Sequence, residues 1–351
     1  MAAPEHPRMS DVAHRAGVSL STVSRALRGA PGVSPAVRAR VERAAAELSY
    51  VVSRDASSLV TGATGRVAVI VPFLRPWFFG AALAGISPEL RAAGLDMLVY
   101  EVGDAEALDG YVQALPLRRN VDAVIAVSLD LDDRETKQLD DIGVPVVYCS
   151  QRAEGRPSVF IDNVAAAAAG TRHLLNLGHR RVAYVQSRDE TGFSWGSLHR
   201  RDGYLQAMAE AGAEPLVVTD RAGQRGGAAA MARLLGAPSP PTAVFAESDD
   251  VAFGALAVLR RSRVPVPEAV SLLGFDDNDV AAVLDLTTVA QPVHELGAEA
   301  ARLTARLLRG TADRAEHLRL PTELVVRRST SVPRTSPGMH LHSHTDLRGR
   351  Q

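Results

Sequence analysis

Arg25 stands in a segment whose other polar side chains are small hydroxyls, a combination that suits contacts with nucleic acid. A guanidinium can fork onto O6 and N7 of a guanine, and an apolar side chain can contact the methyl group of a thymine. Hydroxyl groups bind phosphate oxygens, which fix the register of a protein on DNA without reading its sequence. We expect Leu20, Ser21 and Arg25 to contact base edges. The neighbouring hydroxyl residues are predicted to contact phosphates: Ser19, Thr22 and Ser24.

Short helices with identifiable caps are predicted to position these side chains. Ser10 and Ser19 can each cap a helix of a few turns, and Gly17 can supply the left-handed residue that ends the first helix. A third helix is expected to begin after Ser34. Its apolar stripe would close a small core: Val37, Val41, Ala44, Ala45 and Leu48. Residues 9–52 are therefore predicted to form an all-α helix-turn-helix domain, with the second helix in the major groove of double-stranded DNA. The alternative is a generic three-helix bundle with a solvated arginine.

The charge of the chain is distributed unevenly. The net charge is -1 over 351 residues, yet residues 1–62 contain eight arginines against five acidic residues. A basic head on a mildly acidic body indicates that the head, rather than the whole protein, meets a polyanion. The single cysteine, Cys149, excludes a disulfide within the chain and a cysteine-based metal site. No apolar stretch approaches the roughly 18 residues of a membrane helix, so we expect a cytoplasmic protein without a membrane partner.

From residue 64 onwards the pattern changes to strands that alternate with helices. The strand-like runs cover residues 67–71, 95–100, 121–127, 144–148, 181–185, 215–219, 243–246 and 270–275. Continuous β-branched runs separated by helical segments are typical of parallel sheets buried on both faces. Residues 64–330 are therefore predicted to form an α/β core of two doubly wound lobes. A ligand would bind in the cleft at the carboxyl ends of the strands.

Several segments carry specific motif residues. They are Asp11-Val12-Ala13, Ala16-Gly17-Val18-Ser19, Thr22-Val23-Ser24-Arg25, Asp162-Asn163, Gly274-Phe275-Asp276-Asp277 and Thr287-Thr288-Val289-Ala290-Gln291-Pro292. Together they resemble the LacI/GalR (lactose-repressor/galactose-repressor) family of bacterial transcription regulators over nearly the full chain. The resemblance implies a two-lobed core like that of periplasmic sugar-binding proteins. It also implies an effector-controlled homodimer, most often a repressor, which binds a pseudopalindromic operator.

Residues 53–63 resemble the hinge of the same family. On physical grounds this serine-rich segment is too short to form a stable helix alone. The resemblance implies that it orders on DNA and that Leu59 enters the minor groove as a wedge between base steps. The alternative is a flexible linker. Residues 331–351 are predicted to be a disordered tail, and its histidines at 340, 342 and 344 are not expected to form a physiological metal site.

The resemblance also implies which residues bind the effector. Carboxylates and a guanidinium bind the hydroxyls of a polyol, and aromatic faces pack on a sugar ring. The residues carried over are Phe78, Phe79, Arg200, Asp249 and Asp276, with Ser150 and Ser248 at positions where the family often has Asp and Asn. A sugar or polyol is therefore the expected effector. The alternatives are a turn-capping role for Asp276, a surface helix charge for Arg200, and ordinary core packing for Phe78 and Phe79.

Other readings of the chain remain to be tested. One is a small-molecule sensor whose head no longer recognises DNA. Another is a hydrolase that uses Ser194, because residues 192–196 match the Gly-x-Ser-x-Gly pattern of a nucleophile elbow. That pattern requires a strand running straight into the serine, and residues 187–191 separate it from the predicted strand. We expect no catalytic residue, no metal and no cofactor, since no phosphate-binding or dinucleotide-binding glycine motif occurs.

Overall fold

In a computed structural model the N-terminal part of the chain forms helices α1 (Met9–Ala16), α2 (Leu20–Leu27) and α3 (Pro35–Glu47). The structure describes residues 7–50, 63–103, 105–113, 117, 120–129, 131–187 and 195–334. The chain divides into two compact units, Met1–Gly65 and Arg66–Gln351. Leu59 and Ser194 lie outside the described residues, as do most of the predicted hinge and the tail histidines.

Local capping determines where the helices of the first unit begin and end. The Ser19 hydroxyl accepts a hydrogen bond from the backbone N–H of Thr22 at 3.2 Å, as expected for a cap. Gly17 has φ of 61°, so it ends α1 in the left-handed conformation. The prediction that Ser10 caps α1 is wrong, because α1 already begins at Met9. The Asp11 carboxylate instead accepts from the backbone N–H at the start of the helix, that of Arg8, at 2.7 Å.

The second unit is built from two parallel sheets. The first contains β1 (Arg66–Val71), β2 (Asp96–Glu101), β3 (Ala123–Val127), β4 (Val146–Cys149), β5 (Ser158–Ile161) and β11 (His317–Leu320), in the order β11-β5-β4-β3-β1-β2. The helices of this first lobe are α4 (Trp77–Ala92), α5 (Ala105–Gln113), α6 (Asp133–Asp140) and α12 (Val293–Leu308). β1 and β3 are buried along nearly their whole length, which explains their continuous apolar sequences.

The second lobe repeats this architecture. Its sheet contains β6 (Val182–Ser187), β7 (Leu216–Asp220), β8 (Ala243–Ala246), β9 (Ser271–Asp276), β10 (Thr287–Ala290) and β12 (Glu323–Val325), in the order β12-β10-β9-β8-β6-β7. The helices are α7 (Asn163–Asn176), α8 (Trp195–Glu210), α9 (Gly223–Leu235), α10 (Asp249–Arg261) and α11 (Asp279–Val283). Only the pairing of β12 with β10 is antiparallel among the described pairings of this sheet. The predicted two-lobed α/β core is confirmed.

The chain passes from one lobe to the other after β5, after β10 and after β11. The sequence analysis placed the two series of strands in succession and did not predict the return to the first lobe. That return brings α12 against α4 and against β3, β4 and β5. Packing between α4 and α12 is close, because a Cβ on Gly85 would overlap the carbonyl oxygen of His294 and a Cβ on Gly297 would overlap that of Ala82.

Candidate functional site

Helix α2 presents the predicted base-contacting residues to solvent. Leu20 is 52% exposed, and Ser21 and Arg25 are exposed as well. Val23 and Ala26, on the opposite face, are buried against α1 and α3. The three residues predicted to contact base edges are therefore exposed on one face of α2, while its other face packs in the small core.

The hydroxyl residues of α2 are linked to one another before any partner binds. The Ser19 hydroxyl lies 2.9 Å from that of Ser21 and 2.8 Å from that of Thr22. The Arg28 guanidinium donates to the Ser24 hydroxyl at 2.7 Å and to the Ser24 carbonyl at 3.0 Å. These bonds hold the hydroxyl groups in defined rotamers, which lowers the entropy cost of contacting a phosphate.

Arg38 is a positioning residue that the sequence analysis did not identify. From α3 it donates to the carbonyl oxygen of Ala26 at 2.7 Å and to that of Ala30 at 2.9 Å. The Ala26 carbonyl lies in the last turn of α2, where the backbone N–H of Gly29 also bonds it at 3.1 Å, and the Ala30 carbonyl lies beyond the end of the helix. Arg38 thereby fastens the carboxyl end of the recognition helix to its support. In the sequence, Arg38 is one of several arginines of the same helix, and no pattern distinguishes it from an ordinary surface arginine. The sequence alone therefore does not indicate this role.

In the second unit, Arg200 lies at the centre of a polar network in the cleft between the lobes. Its Nε donates to Oδ1 of Asn163 at 3.0 Å, and its Nη1 donates to the carbonyl oxygen of Glu247 at 2.7 Å. The same nitrogen lies 3.4 Å from Oδ1 of Asp276, and the guanidinium carbon lies 3.7 Å above the centre of the Phe275 ring. These contacts hold the guanidinium in one orientation. The surface-charge alternative for Arg200 is wrong, since its side chain is only 11% exposed.

Asp276 ends β9 in a strained backbone conformation, with φ of 118°. Its Oδ1 accepts a hydrogen bond of 2.6 Å from the side-chain amide of Gln291. Burial raises the pKa of Asp276, and the nearby charge of Arg200 partly opposes this shift. Asp276 also lines a cavity of about 510 Å³ with Gln291. It is therefore a buried carboxylate at the edge of an open space.

Asp249 belongs to the same lobe, but both oxygens of its carboxylate are already hydrogen-bonded to neighbouring elements of that lobe. Its Oδ1 accepts from the Thr288 hydroxyl at 2.7 Å, and its Oδ2 accepts from the backbone N–H of Asn278 at 2.8 Å. The residue is fully buried, and burial raises its pKa. Both oxygens thus connect α10 to the loop after β9 and to β10. Ser248 precedes it as the N-cap of α10, where its hydroxyl accepts from the backbone of Val251 at 3.4 Å.

In the first lobe, Phe78 and Phe79 lie at the start of α4, and Ser150 and Gln151 follow β4. Phe78 is half-buried near the start of α4, and its ring packs edge-to-face on that of Phe79 with centroids 5.2 Å apart. Phe79 itself belongs to the hydrophobic core. Ser150 follows β4 and is buried with φ of 67°, next to the buried Gln151. Gln151 and Asn163 both line a cavity of about 590 Å³.

Asp250, at the start of α10, interacts with the first lobe. Burial raises the pKa of its carboxyl, and interactions with the backbone of Trp77 and with the side chain of Gln224 oppose this rise.

Within the ranges that the structure describes, no group of three or more His, Cys, Asp and Glu side chains is arranged to hold a metal ion. The described helices also include none that is both long and apolar enough to cross a membrane.

Comparison with known proteins decides the family. A family model described as "Bacterial regulatory proteins, lacI family" matches residues 8–53, and a "Periplasmic binding protein-like domain" matches residues 171–330. The HTH-type transcriptional regulator CelR of Thermobifida fusca is 37% identical over 343 residues, which cover 92% of this chain and 98% of CelR. The chain belongs to the lacI family of bacterial regulatory proteins.

Further relatives agree with this assignment. The HTH-type transcriptional repressor CytR of Escherichia coli strain K12 is 32% identical over 336 residues, covering 92% of this chain and 96% of CytR. A Lac repressor dimer bound to operator and the anti-inducer ONPF matches with a TM-score of 0.84 and 26% identity, over 93% of this chain and 100% of that one. A CelR-cellobiose complex matches with a TM-score of 0.69 and 34% identity, over 92% of this chain and 99% of that one. This lacI-family member is a DNA-binding transcription regulator.

Proposed function

We propose that this regulator is a homodimeric repressor whose affinity for a pseudopalindromic operator is controlled by a sugar or polyol bound between its lobes. The observation that carries the effector part is the network around Arg200. A guanidinium held by Asn163, by the Glu247 carbonyl and by the Phe275 ring presents its remaining N–H groups in a fixed direction. Such a fork, beside a buried carboxylate and an aromatic pair, suits the hydroxyls and the apolar face of a sugar ring. The 34% identical CelR structure contains cellobiose.

The predicted effector residues take different parts in this proposal. Arg200 and Asp276 bind hydroxyl groups, and Phe78 packs on the ring. Phe79 supports Phe78 from the core, and Asp249 positions the loop after β9. The serines at the strand ends, Ser150 and Ser248, leave room at the rim of the cleft for a ligand substituent.

On the DNA side, we propose that α2 lies in the major groove with Leu20, Ser21 and Arg25 on base edges and Ser19, Thr22 and Ser24 near phosphates. Leu59 would wedge into the minor groove from a hinge over residues 53–63. The remaining boundaries are proposed as predicted, with a head over 9–52, a core over 64–330 and a tail over 331–351. The start of the tail differs from a disordered segment, because the backbone of Ser331 is hydrogen-bonded to His179 and Ser271 of the second lobe. A two-fold symmetric dimer places two heads on two half-sites, which is why the operator should be pseudopalindromic.

A regulator that acts on bacterial DNA works in the cytoplasm, and this is the location we propose. We also propose that the chain is not an enzyme. The polar groups of the cleft are arranged to hold a ligand. In the hydrophobic core, burial raises the pKa of Tyr204 to about 12 and that of Cys149 to about 12, so neither group is activated as a nucleophile.

Selection of duplexes from a random DNA pool tests the proposal. The purified full chain is used, with and without a panel of sugars that includes cellobiose. We expect a palindrome to be enriched, its recovery to change with one class of sugar, and Arg25→Ala to abolish the enrichment. No enriched sequence from a folded, dimeric protein would overturn the operator proposal and favour a sensor without DNA recognition. If a DNA sequence is enriched but no sugar changes its recovery, the effector proposal is overturned.

A further inference from the structure

The cavity of about 590 Å³ lies at the edge of the first lobe, beside the carboxyl ends of β4 and β5. Its wall is formed by the start of α6, the loop after β4, the connection from β5 to α7, and His199 of α8. Its volume is within the range of about 300–1,000 Å³ that is common for small-molecule sites. The wall includes none of the residues that the family resemblance assigned to the effector: Phe78, Phe79, Ser150, Arg200, Ser248, Asp249 and Asp276.

Two buried polar groups of this wall lack a hydrogen-bond partner in the part of the chain that the structure describes. They are the side-chain oxygen of Gln151, which is 4% exposed, and the hydroxyl of Tyr148, which is 1% exposed. Because both atoms are shielded from solvent, leaving them unpaired costs free energy. Gln151 has three rotatable side-chain bonds, so its amide can turn toward a group in the cavity. Two unpaired polar groups in the wall of one cavity therefore indicate a ligand that pairs with both.

Tyr148 acts as a hydrogen-bond donor, because its hydroxyl stays protonated at physiological pH. Burial, followed by the charge of Asp140, raises the pKa of Tyr148 to about 12, against the opposing effects of Arg156 and Thr136. Thr136 lines the same cavity, but no hydrogen bond of normal geometry joins it to the Tyr148 hydroxyl. The wall thus offers a donor at Tyr148 and an acceptor at Gln151.

Most of the charged side chains that line the cavity are paired with one another or with a neighbour. The pairs are Arg156 with Asp140 at 2.7 Å, Arg152 with Glu154 at 3.0 Å, and Arg319 with Asp162 at 3.5 Å. Asp133 stands in the first turn of α6, where the helix dipole stabilises a negative charge. Among the described residues there is no strong excess of one sign, so the wall favours a neutral ligand over a charged one.

Asn163 connects this cavity to the network around Arg200. It is buried and lines the cavity, and its Oδ1 accepts a hydrogen bond from Nε of Arg200 at 3.0 Å. His199, the residue before Arg200 on α8, lines the cavity as well. A ligand in the cavity would therefore contact both lobes and the residues that hold the Arg200 guanidinium in place.

We propose that this cavity binds a neutral molecule with several hydroxyl groups, a sugar or polyol, at a site separate from the effector cleft, and that its occupancy changes the affinity of that cleft. A hydroxyl group both donates and accepts, so such a molecule can donate to Gln151 and accept from Tyr148. The Phe160 ring, which also lines the cavity, provides apolar surface for the carbon atoms of the ligand. Binding in the cavity does not depend on the proposed effector site, whereas the coupling between the two sites does.

Isothermal titration calorimetry with the full chain, in buffer without glycerol, tests the inference. Glucose, cellobiose, maltose and sorbitol are each titrated into the free protein and into protein saturated with the tightest of them. We expect two sites for each chain, filled by one sugar or by two different ones. Arg200→Ala should lose the site in the cleft and keep the site in the cavity. Saturating one site should change the affinity of the other by about fivefold or more.

Two variants assign the second site to the cavity. Tyr148→Phe and Gln151→Met each remove one unpaired polar group and nearly keep the size of the side chain, so each should weaken binding in the cavity about tenfold. Measured in the Arg200→Ala background, this loss belongs to the cavity alone. Urea unfolding without sugar should show no loss of stability, because an unpaired buried group does not stabilise the fold.

The matched controls are Tyr184→Phe and Gln138→Met. Their polar oxygens are also buried and unpaired, but neither residue lines the cavity. Both variants should bind every sugar as the wild type does. A loss in the controls as large as that in Tyr148→Phe and Gln151→Met would contradict the placement of the site.

The remaining outcomes separate this inference from the proposed effector. A single site that Arg200→Ala abolishes overturns the cavity site and leaves the effector proposal in place. A single site that Arg200→Ala retains and Tyr148→Phe weakens supports the cavity and overturns the effector cleft. Two sites that do not affect each other contradict the coupling, and binding of no sugar overturns both proposals. The number of sites in the wild-type protein remains a test even if a variant does not fold.

Discussion

The two lobes share one architecture but bring different chemistry to the cleft between them. The second lobe contributes Arg200 and Asp276, which are fixed by neighbours in the same lobe. The first lobe contributes the buried Gln151, which lines the cavity of about 590 Å³ together with charged residues of that lobe, and it carries an aromatic pair at the start of α4. In the described residues, every Asp, Glu and His with a shifted pKa also lies in the second lobe. The difference teaches that a shared architecture leaves the side chains at the strand ends free to differ between the lobes.

The largest expected effect concerns what the lobes have in common, their close helix packing. Gly85→Ala in the first lobe places a methyl group against the carbonyl of His294, so the free energy of unfolding should fall by about 3 kcal/mol. Gly203→Ala in the second lobe should lower the free energy of unfolding by a similar amount, because its methyl group meets the carbonyl of Val164. Urea unfolding measures both. Gly80→Ala is the control in α4, where the space is open, and it should stabilise the protein by up to about 1 kcal/mol.

Arg200→Ala tests the polar part of the comparison. Removing the guanidinium leaves the Asp276 carboxylate buried without its cation, and we expect effector affinity to fall about 100-fold. Calorimetry with the sugar that binds the wild-type protein best measures this loss, and operator affinity without sugar should be unchanged. Arg172→Ala serves as control, since Arg172 pairs with Glu210 on the surface of the same lobe. A loss of less than about threefold would show that the second lobe does not dominate recognition.

Phe78→Ala tests the aromatic part. The ring offers apolar surface and no charge, so its removal should weaken the same sugar by about tenfold, less than the loss in Arg200→Ala. Phe78→Tyr, which keeps an aromatic face, should bind within about threefold of the wild type. If Phe78→Ala lost as much affinity as Arg200→Ala, the prediction that the polar groups of the second lobe dominate recognition would be wrong.

The smallest effect concerns the histidines of the second lobe. Nδ1 of His179 lies 2.8 Å from the Thr242 hydroxyl, and its Nε2 lies 2.9 Å from the carbonyl of Ser331. Burial lowers the pKa of His179 and of His173, so the unfolded chain binds protons more readily than the folded one below about pH 6.5. The stability that neutral His179 contributes is therefore present above that pH and is lost as pH falls through the lowered pKa.

Urea unfolding of the wild type and of His179→Gln at about pH 7.5 and pH 5.5 measures this contribution. The advantage of the wild type should shrink at the lower pH, by no more than about 1.4 kcal/mol for each pH unit. Comparing the two proteins cancels the opposite trend from Asp249 and Asp276, whose pKa values are raised by burial. An advantage that is the same at both pH values would mean that His179 does not titrate with unfolding.

Much of the fold was predictable because its signals are local. Four strands lie within two residues of their predicted bounds: β1, β3, β6 and β8. Their β-branched runs between helical segments favour a buried strand over other secondary structures. The return of α12 to the first lobe was not predictable, because an amphipathic helix does not specify which of two similar sheets it covers. The hydrogen bond between Ser197 and Glu247 was not predictable for a related reason, because these residues are 50 positions apart and meet only across the ends of β8 and α8.

By itself the sequence determined the caps of α2 and α3, the exposed face of α2 and the alternation of strands and helices. These features depend on neighbours within a few residues, and the chain carries them wherever it folds. Only the tertiary structure decided how two similar acids are used. Asp249 and Asp276 each stand beside the end of a strand in the sequence, yet the register of β9 and β10 places Thr288 and a backbone N–H on the first and Arg200 with Gln291 on the second. One acid therefore holds the fold together, while the other borders the open cleft.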